Sequence, residues 1–202
     1  MCKISPIRPW PRAVQFCILV FVALYFWAAK KYPGGSNFDP NSVGFDWLRN
    51  YWCELLGPIA KNGQPNPARP IASAAMFLIG AALAYFFWEM PKKLPIPAFF
   101  SKMTRFSGIV SMVFGMLFLT EWHETATIAS GFFGVAAISG LFFGLFKGKN
   151  WPLFGLGMAS LFCVLLNNFI YFTQILLPVL PVAQKISFAI FLYWAFKMSG
   201  SF

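Results

Sequence analysis

The one histidine of this chain, His123, stands among carboxylates in the run Glu121-Trp122-His123-Glu124. Imidazole titrates near neutral pH, and a flanking carboxylate that orients the ring raises its basicity, which is what a general base needs. His123, Glu124 and Glu121 are therefore the catalytic candidates. Glu121 closes an apolar run, where a carboxylate must reach water, pair with a cation or remain protonated. A second polar group gathers earlier, at Asp46, Arg49, Asn50, Cys53 and Glu54. Arg49 has the planar fork that holds a phosphate or carboxylate, and Cys53 or Ser42 could act as a nucleophile. Against that, Arg49 three residues beyond Asp46 also reads as a surface ion pair. A third group, Asn167 and Tyr171 with Gln174, lies along one helical face. An amide in hydrocarbon is costly without a partner, so Asn167 is expected to point inward, as interhelical glue or as the wall of a polar pocket. The binding candidates are Asp46, Arg49, Asn50, Glu54, Asn167 and Tyr171.

A single histidine provides no multi-His metal or haem site, so no metal and no cofactor is expected. The four cysteines, at positions 2, 17, 53 and 163, are far apart and offer no disulfide framework. No phosphate-binding glycine loop or dinucleotide fingerprint is present.

These groups sit on an unusual background. Of 202 residues, 58% are apolar and only 11% charged, where a soluble domain carries roughly a quarter charged residues. Twenty-six Phe and eight Trp exceed what a globule of this size could enclose, whereas lipid accepts them without limit. The sequence therefore predicts an all-α integral membrane protein of the cell inner membrane, folded as a single membrane domain over residues 1–202. Six apolar runs are long enough to cross hydrocarbon, at about 13–29, 71–88, 106–122, 127–146, 152–173 and 178–196. The first is read as an uncleaved anchor, because Trp27 spoils a small-residue cleavage site. The third and fourth form one apolar block whose turn falls at the Glu121–Glu124 run.

Counting Lys and Arg in alternate loops sets the orientation. One side carries ten, including Arg12, Lys93, Lys102, Lys149 and Lys197, against the single acid Glu89; the other carries six against five acids. The richer side is cytoplasmic on this rule, and both termini lie there. The net charge of +10 belongs to these clusters, and nucleic acid is not an expected partner.

Helices in lipid associate where small side chains allow close approach. Such stripes run through Ala136, Gly140, Gly144 and Gly148, through Gly108, Ser111 and Gly115, and through Gly155, Ala159 and Cys163. They pack the bundle or join copies in a helix-mediated oligomer. The long outer loop, residues 30–70, is expected to contain an amphipathic helix over 46–56. Trp47, Leu48, Tyr51, Trp52, Leu55 and Leu56 would form its apolar face, and the Asp46–Glu54 polar group its opposite stripe.

The stretch from Phe45 through Asn50, Cys53, Glu54 and Gly57, then Asn62-Gly-Gln-Pro-Asn-Pro-Ala-Arg-Pro70, with the later Trp122-His123-Glu124, resembles a bacterial group of six-span membrane proteins, domain-of-unknown-function family 998. In that group the loop runs from an Asn to a Ser-Asp-Leu-Gly step. Asn50 matches here, while Cys53-Glu54 stand in place of Ser-Asp. The resemblance implies the six-span fold and membrane location, and no activity. Three functions are consistent with the residues. The chain binds a lipid or small amphiphile at an outer-face polar site; it is a hydrolase or transferase using His123 with a flanking Glu; or it is an assembly module of the membrane.

Overall fold

Prolines fall in the first turns of several helices of this chain, and lysines in the last turns of others. The computed structural model describes residues 9–117 and 123–202. Six α-helices run through these residues: α1 (Pro9–Lys31), α2 (Arg69–Glu89), α3 (Ala98–Met116), α4 (His123–Lys147), α5 (Trp151–Thr173) and α6 (Leu180–Gly200). Pro70, Pro152 and Pro181 occupy first turns, where a missing N–H costs nothing. Asn150 caps α5 by accepting from the Leu153 amide at 3.3 Å. Lys30, Lys31, Lys147 and Lys197 lie in last turns, where a cation complements the helix dipole. No strand forms among the described residues, which contain two isolated bridges, Gly34 with Val43 and Ile59 with Pro65.

Five segments are long and apolar enough to cross a membrane: Trp10–Lys31, Arg69–Lys93, Thr125–Lys147, Trp151–Thr173 and Leu177–Gly200. The described part of α3 falls short because Lys102 and Arg105 occupy its first two turns.

Each helix packs on the next, and α6 returns to α1. At the centre Trp194 of α6 is fully buried, its indole N–H donating to the Leu153 carbonyl of α5 at 2.9 Å. Phe86 of α2 and Phe142 of α4 meet its ring at 6.4 and 5.8 Å. The small-residue stripes mark real contacts. Gly108 of α3 faces Phe87 of α2, Gly140 of α4 faces Thr104 of α3, and Gly144 receives Leu94 and Ile96 of the α2–α3 connection. Ser111 and Ser130 join α3 to α4 reciprocally, each hydroxyl donating to the other's carbonyl at 2.8 and 3.0 Å.

On α5 the stripe differs from expectation. Gly155 and Ala159 face outward, with open space beside Gly155, and the buried face is Leu153, Gly157, Ser160 and Ile170. Large rings decide this phase: Trp194 and Phe142 reach the α5 backbone only where no side chain intervenes, and Gly157 is that place.

Candidate functional site

The long loop between α1 and α2 is ordered throughout, and two asparagines organise it. The single amphipathic α-helix expected over residues 46–56 is replaced by a turn at Asp46 and a short 3-10 helix, Trp52–Leu56. The cause is local. Asp46 Oδ1 accepts from the Leu48 and Arg49 amides at 2.8 and 3.3 Å, a side-chain turn that competes with helical bonding. Gly57-Pro58 then stops propagation. The expected polar stripe is split as a result. Asn50 is fully buried and Glu54 is 7% exposed, while Trp47 and Leu48 turn outward.

Asn50 uses both ends of its amide. Its Nδ2 donates to the Gly35 carbonyl at 2.6 Å and to Glu54 Oε2, and its Oδ1 accepts from the Asp46 amide at 2.7 Å. Asn66 does the same for the 3-10 helix, donating to the carbonyls of Glu54, Leu55 and Gly57 and accepting from the Ala68 amide. Two residues of α6 clamp this assembly to the bundle. Lys185 Nζ donates to the Asn50 carbonyl at 2.5 Å and to Pro181 at 3.0 Å, and Gln184 Oε1 accepts from the Trp52 amide at 3.1 Å. Trp52 fills the space beneath, its ring 4.9 Å from Tyr25 and 5.4 Å from Phe188.

Burial raises the Glu54 carboxyl above its ordinary value, and the Asn50 donor with Lys61 and Lys185 offsets this only in part. Its Oε1 is buried with no hydrogen-bond partner. Cys53, at the loop surface, has its thiol raised by desolvation and then by Glu54. A thiol so placed is protonated and a poor nucleophile.

Beside this hub is an open cleft of about 500 Å³, lined by Phe38, Leu48 and Arg49 of the loop and by Pro178, Val179 and Val182 at the start of α6. Arg49 is the charged residue of its lining. Behind it stand two carboxylates, Asp39 Oδ2 at 3.7 Å and Asp46 Oδ2 at 3.9 Å. Both are ion pairs at distances longer than a hydrogen bond. Leu48, in the cleft's lining, is 67% exposed.

The other sequence candidates are placed as follows. Asn167 donates to Ser187 Oγ of α6 at 2.7 Å, holding α5 to α6 and taking no part in the loop hub. Tyr171 is exposed, within electrostatic reach of Tyr51. His123 and Glu124 open α4, but their side chains lie outside the described residues, as does Glu121. The structure thus brings together Asp46, Arg49, Asn50 and Glu54. It adds Lys185, Gln184, Asn66, Asp39 and Phe38, which sequence reasoning did not single out. Lys185 alone had a legible signal, as a lone cation near the start of an apolar run.

Fold and site together define a multi-pass helical bundle, capped at one end by an ordered loop that carries an arginine-bearing cleft. No protein-family model matches the chain, and comparison with curated proteins and with solved structures finds no similar protein.

Proposed function

We propose that this is a six-span protein of the cell inner membrane, with both termini cytoplasmic, that binds the head of a lipid or small amphiphile in the cleft beside Arg49. The observation that carries the reading is the composition of that cleft, one guanidinium, that of Arg49, among Phe38, Leu48, Pro178, Val179 and Val182. An amphiphile presents the complementary pair, an anionic head and an apolar body. An aromatic pair beside the cleft-bearing loop also supports the reading. Trp47 packs on Phe26 at 4.9 Å, five residues or about 7.5 Å before the end of α1, and aromatic side chains near a span's end favour the headgroup level. The six-span layout is supported by the Ser111–Ser130 pairing, which makes α3 and α4 a hairpin of matched depth.

The test is native mass spectrometry of the full chain released from detergent with added short-chain phospholipid. The unaltered protein retains one lipid, and Arg49→Gln lowers its occupancy about tenfold, the worth of one charge-assisted hydrogen bond. Equal occupancy in the two proteins would overturn the assignment.

A further inference from the structure

We infer that the end of the bundle opposite the long loop holds a site of its own, at Trp88 and Arg105, for the phosphate of an anionic phospholipid of the surrounding leaflet. This site shares no residue with the cleft beside Arg49 and does not depend on it. Arg105 of α3 lays its guanidinium on the Trp88 ring of α2, 3.7 Å from the ring centre, and is half-buried there. Its Nε is buried with no hydrogen-bond partner, and among the described residues its side chain makes no ion pair. A guanidinium withdrawn from water in this way still needs an anion. The nearest carboxylate, Glu89, is taken by Lys92, whose ammonium lies 5.0 Å from the centre of the same ring. In the α2–α3 connection and the turns beside it, Lys92, Lys93, Lys102 and Arg105 meet Glu89 alone. Lys147 and Lys149 join the same end, which Gly144 and Gly148 bring against Leu94 and Pro95. The patch therefore carries net positive charge with Glu89 included.

The surroundings say which anion. Trp88 is exposed and stands in the last turn of α2, and an indole at the end of a span belongs at the headgroup level. On α3 the exposed Phe99, Phe106 and Val113 recur every seven residues, which puts them in one outward row. Lys102, also exposed, stands in that row one turn before Phe106, with Arg105 on its flank. From Arg105 to Val113 the helix rises about 12 Å, so a phosphate held by the two cations leaves an acyl chain lying along Phe106 and Val113. A soluble anion would leave that row untouched. The planar fork of Arg105 matches two phosphate oxygens, and a side chain already laid on an indole loses little freedom in binding them. Basic groups clustered beside helix ends recognise anionic headgroups through this charge complementarity.

The measurement is native mass spectrometry of the purified full-length chain, with short-chain phosphatidylglycerol and short-chain phosphatidylcholine as separate probes. The chain retains one more phosphatidylglycerol than phosphatidylcholine, a difference that holds whether or not the Arg49 cleft is filled. Arg105→Gln lowers the occupancy of this additional lipid about tenfold, and Arg49→Gln leaves it unchanged. Lys102→Gln, at an exposed position, lowers it about fivefold. Glycerol phosphate added in excess fails to displace it. Equal numbers of the two lipids retained, or an unchanged occupancy in either the Arg105 or the Lys102 variant, would overturn the site. Loss of the additional lipid in Arg49→Gln would assign it to the cleft and overturn the site equally. Displacement by glycerol phosphate would overturn the lipid as its occupant. Should Arg105→Gln fold poorly, Lys102→Gln decides the matter alone.

Discussion

Glu54 is the residue whose chemistry departs furthest from its sequence context. It sits in the short 3-10 helix of the long loop among polar neighbours, yet it is 7% exposed and its Oε1 has no hydrogen-bond partner among the described residues. Desolvation raises its pKa from the ordinary 4.5, so the folded protein holds a proton that the unfolded chain has already released. Stability from this group is therefore complete below that ordinary value and declines as pH rises through the folded one. The thermal midpoint of the native protein should fall as pH rises above the ordinary carboxyl value, and Glu54→Gln should flatten that dependence. At the upper end the variant should melt higher, by about 2–4 °C for each kcal/mol relieved. Parallel melting curves for the two proteins would show that some other group titrates. The buried position of Glu54 was hidden in the sequence. Trp47, Tyr51 and Leu55 repeat with helical spacing, which assigns Asn50 and Glu54 to the wet face. What overrides the repeat is a single carboxylate oxygen of Asp46 taking two amides, and a bond from Lys185 that spans 135 positions of chain.

At the scale of elements, the positions of the helices were far more legible than their faces. Composition marks a span because lipid tolerates few charges anywhere along it, and the expected 71–88 and 152–173 lie within two residues of α2 and α5 at each end. Which face packs depends on where a partner's large ring falls, and that information lies on another helix. The two glycine types on α4 and α5 turn this into a measurement. A methyl group at Gly140 would collide with Thr104, whereas one at Gly155 meets nothing within 4 Å. Gly140→Ala should therefore destabilise the protein by about 1–3 kcal/mol, as overpacking does. Gly155→Ala should be neutral or stabilising by up to about 1 kcal/mol, from helix propensity alone. Thermal midpoints of the two variants in the same detergent compare them directly. A penalty at Gly155 as large as that at Gly140 would mean that another chain occupies the outer face of α5.

For the whole molecule, the cleft has meaning only with respect to the side of the membrane on which it opens. The end of the bundle opposite the loop is heavily basic. Trp88 lies between Arg105 at 3.7 Å and Lys92 at 5.0 Å, with Glu89 answering Lys92 alone. Lys93, Lys102, Lys147 and Lys149 stand in the same connections. Positive charge resists translocation, so this end should stay in the cytoplasm and the loop should cross. Six crossings return Arg12 and Lys197 to one face, whereas five would separate them. The difference rests on α3, whose described part is weakened as a span by Lys102 and Arg105 in its first turns yet pairs with α4 through Ser111 and Ser130. A reporter active only outside the cytoplasm resolves the question at three points. Fused after Lys61 it should be active, and after Lys93 and after Lys149 it should be silent. Activity after both Lys61 and Lys149 would mean that α3 turns back without crossing. Silence after Lys61 with activity after Lys93 would invert the molecule and open the Arg49 cleft to the cytoplasm, where its ligand would have to come from the inner leaflet.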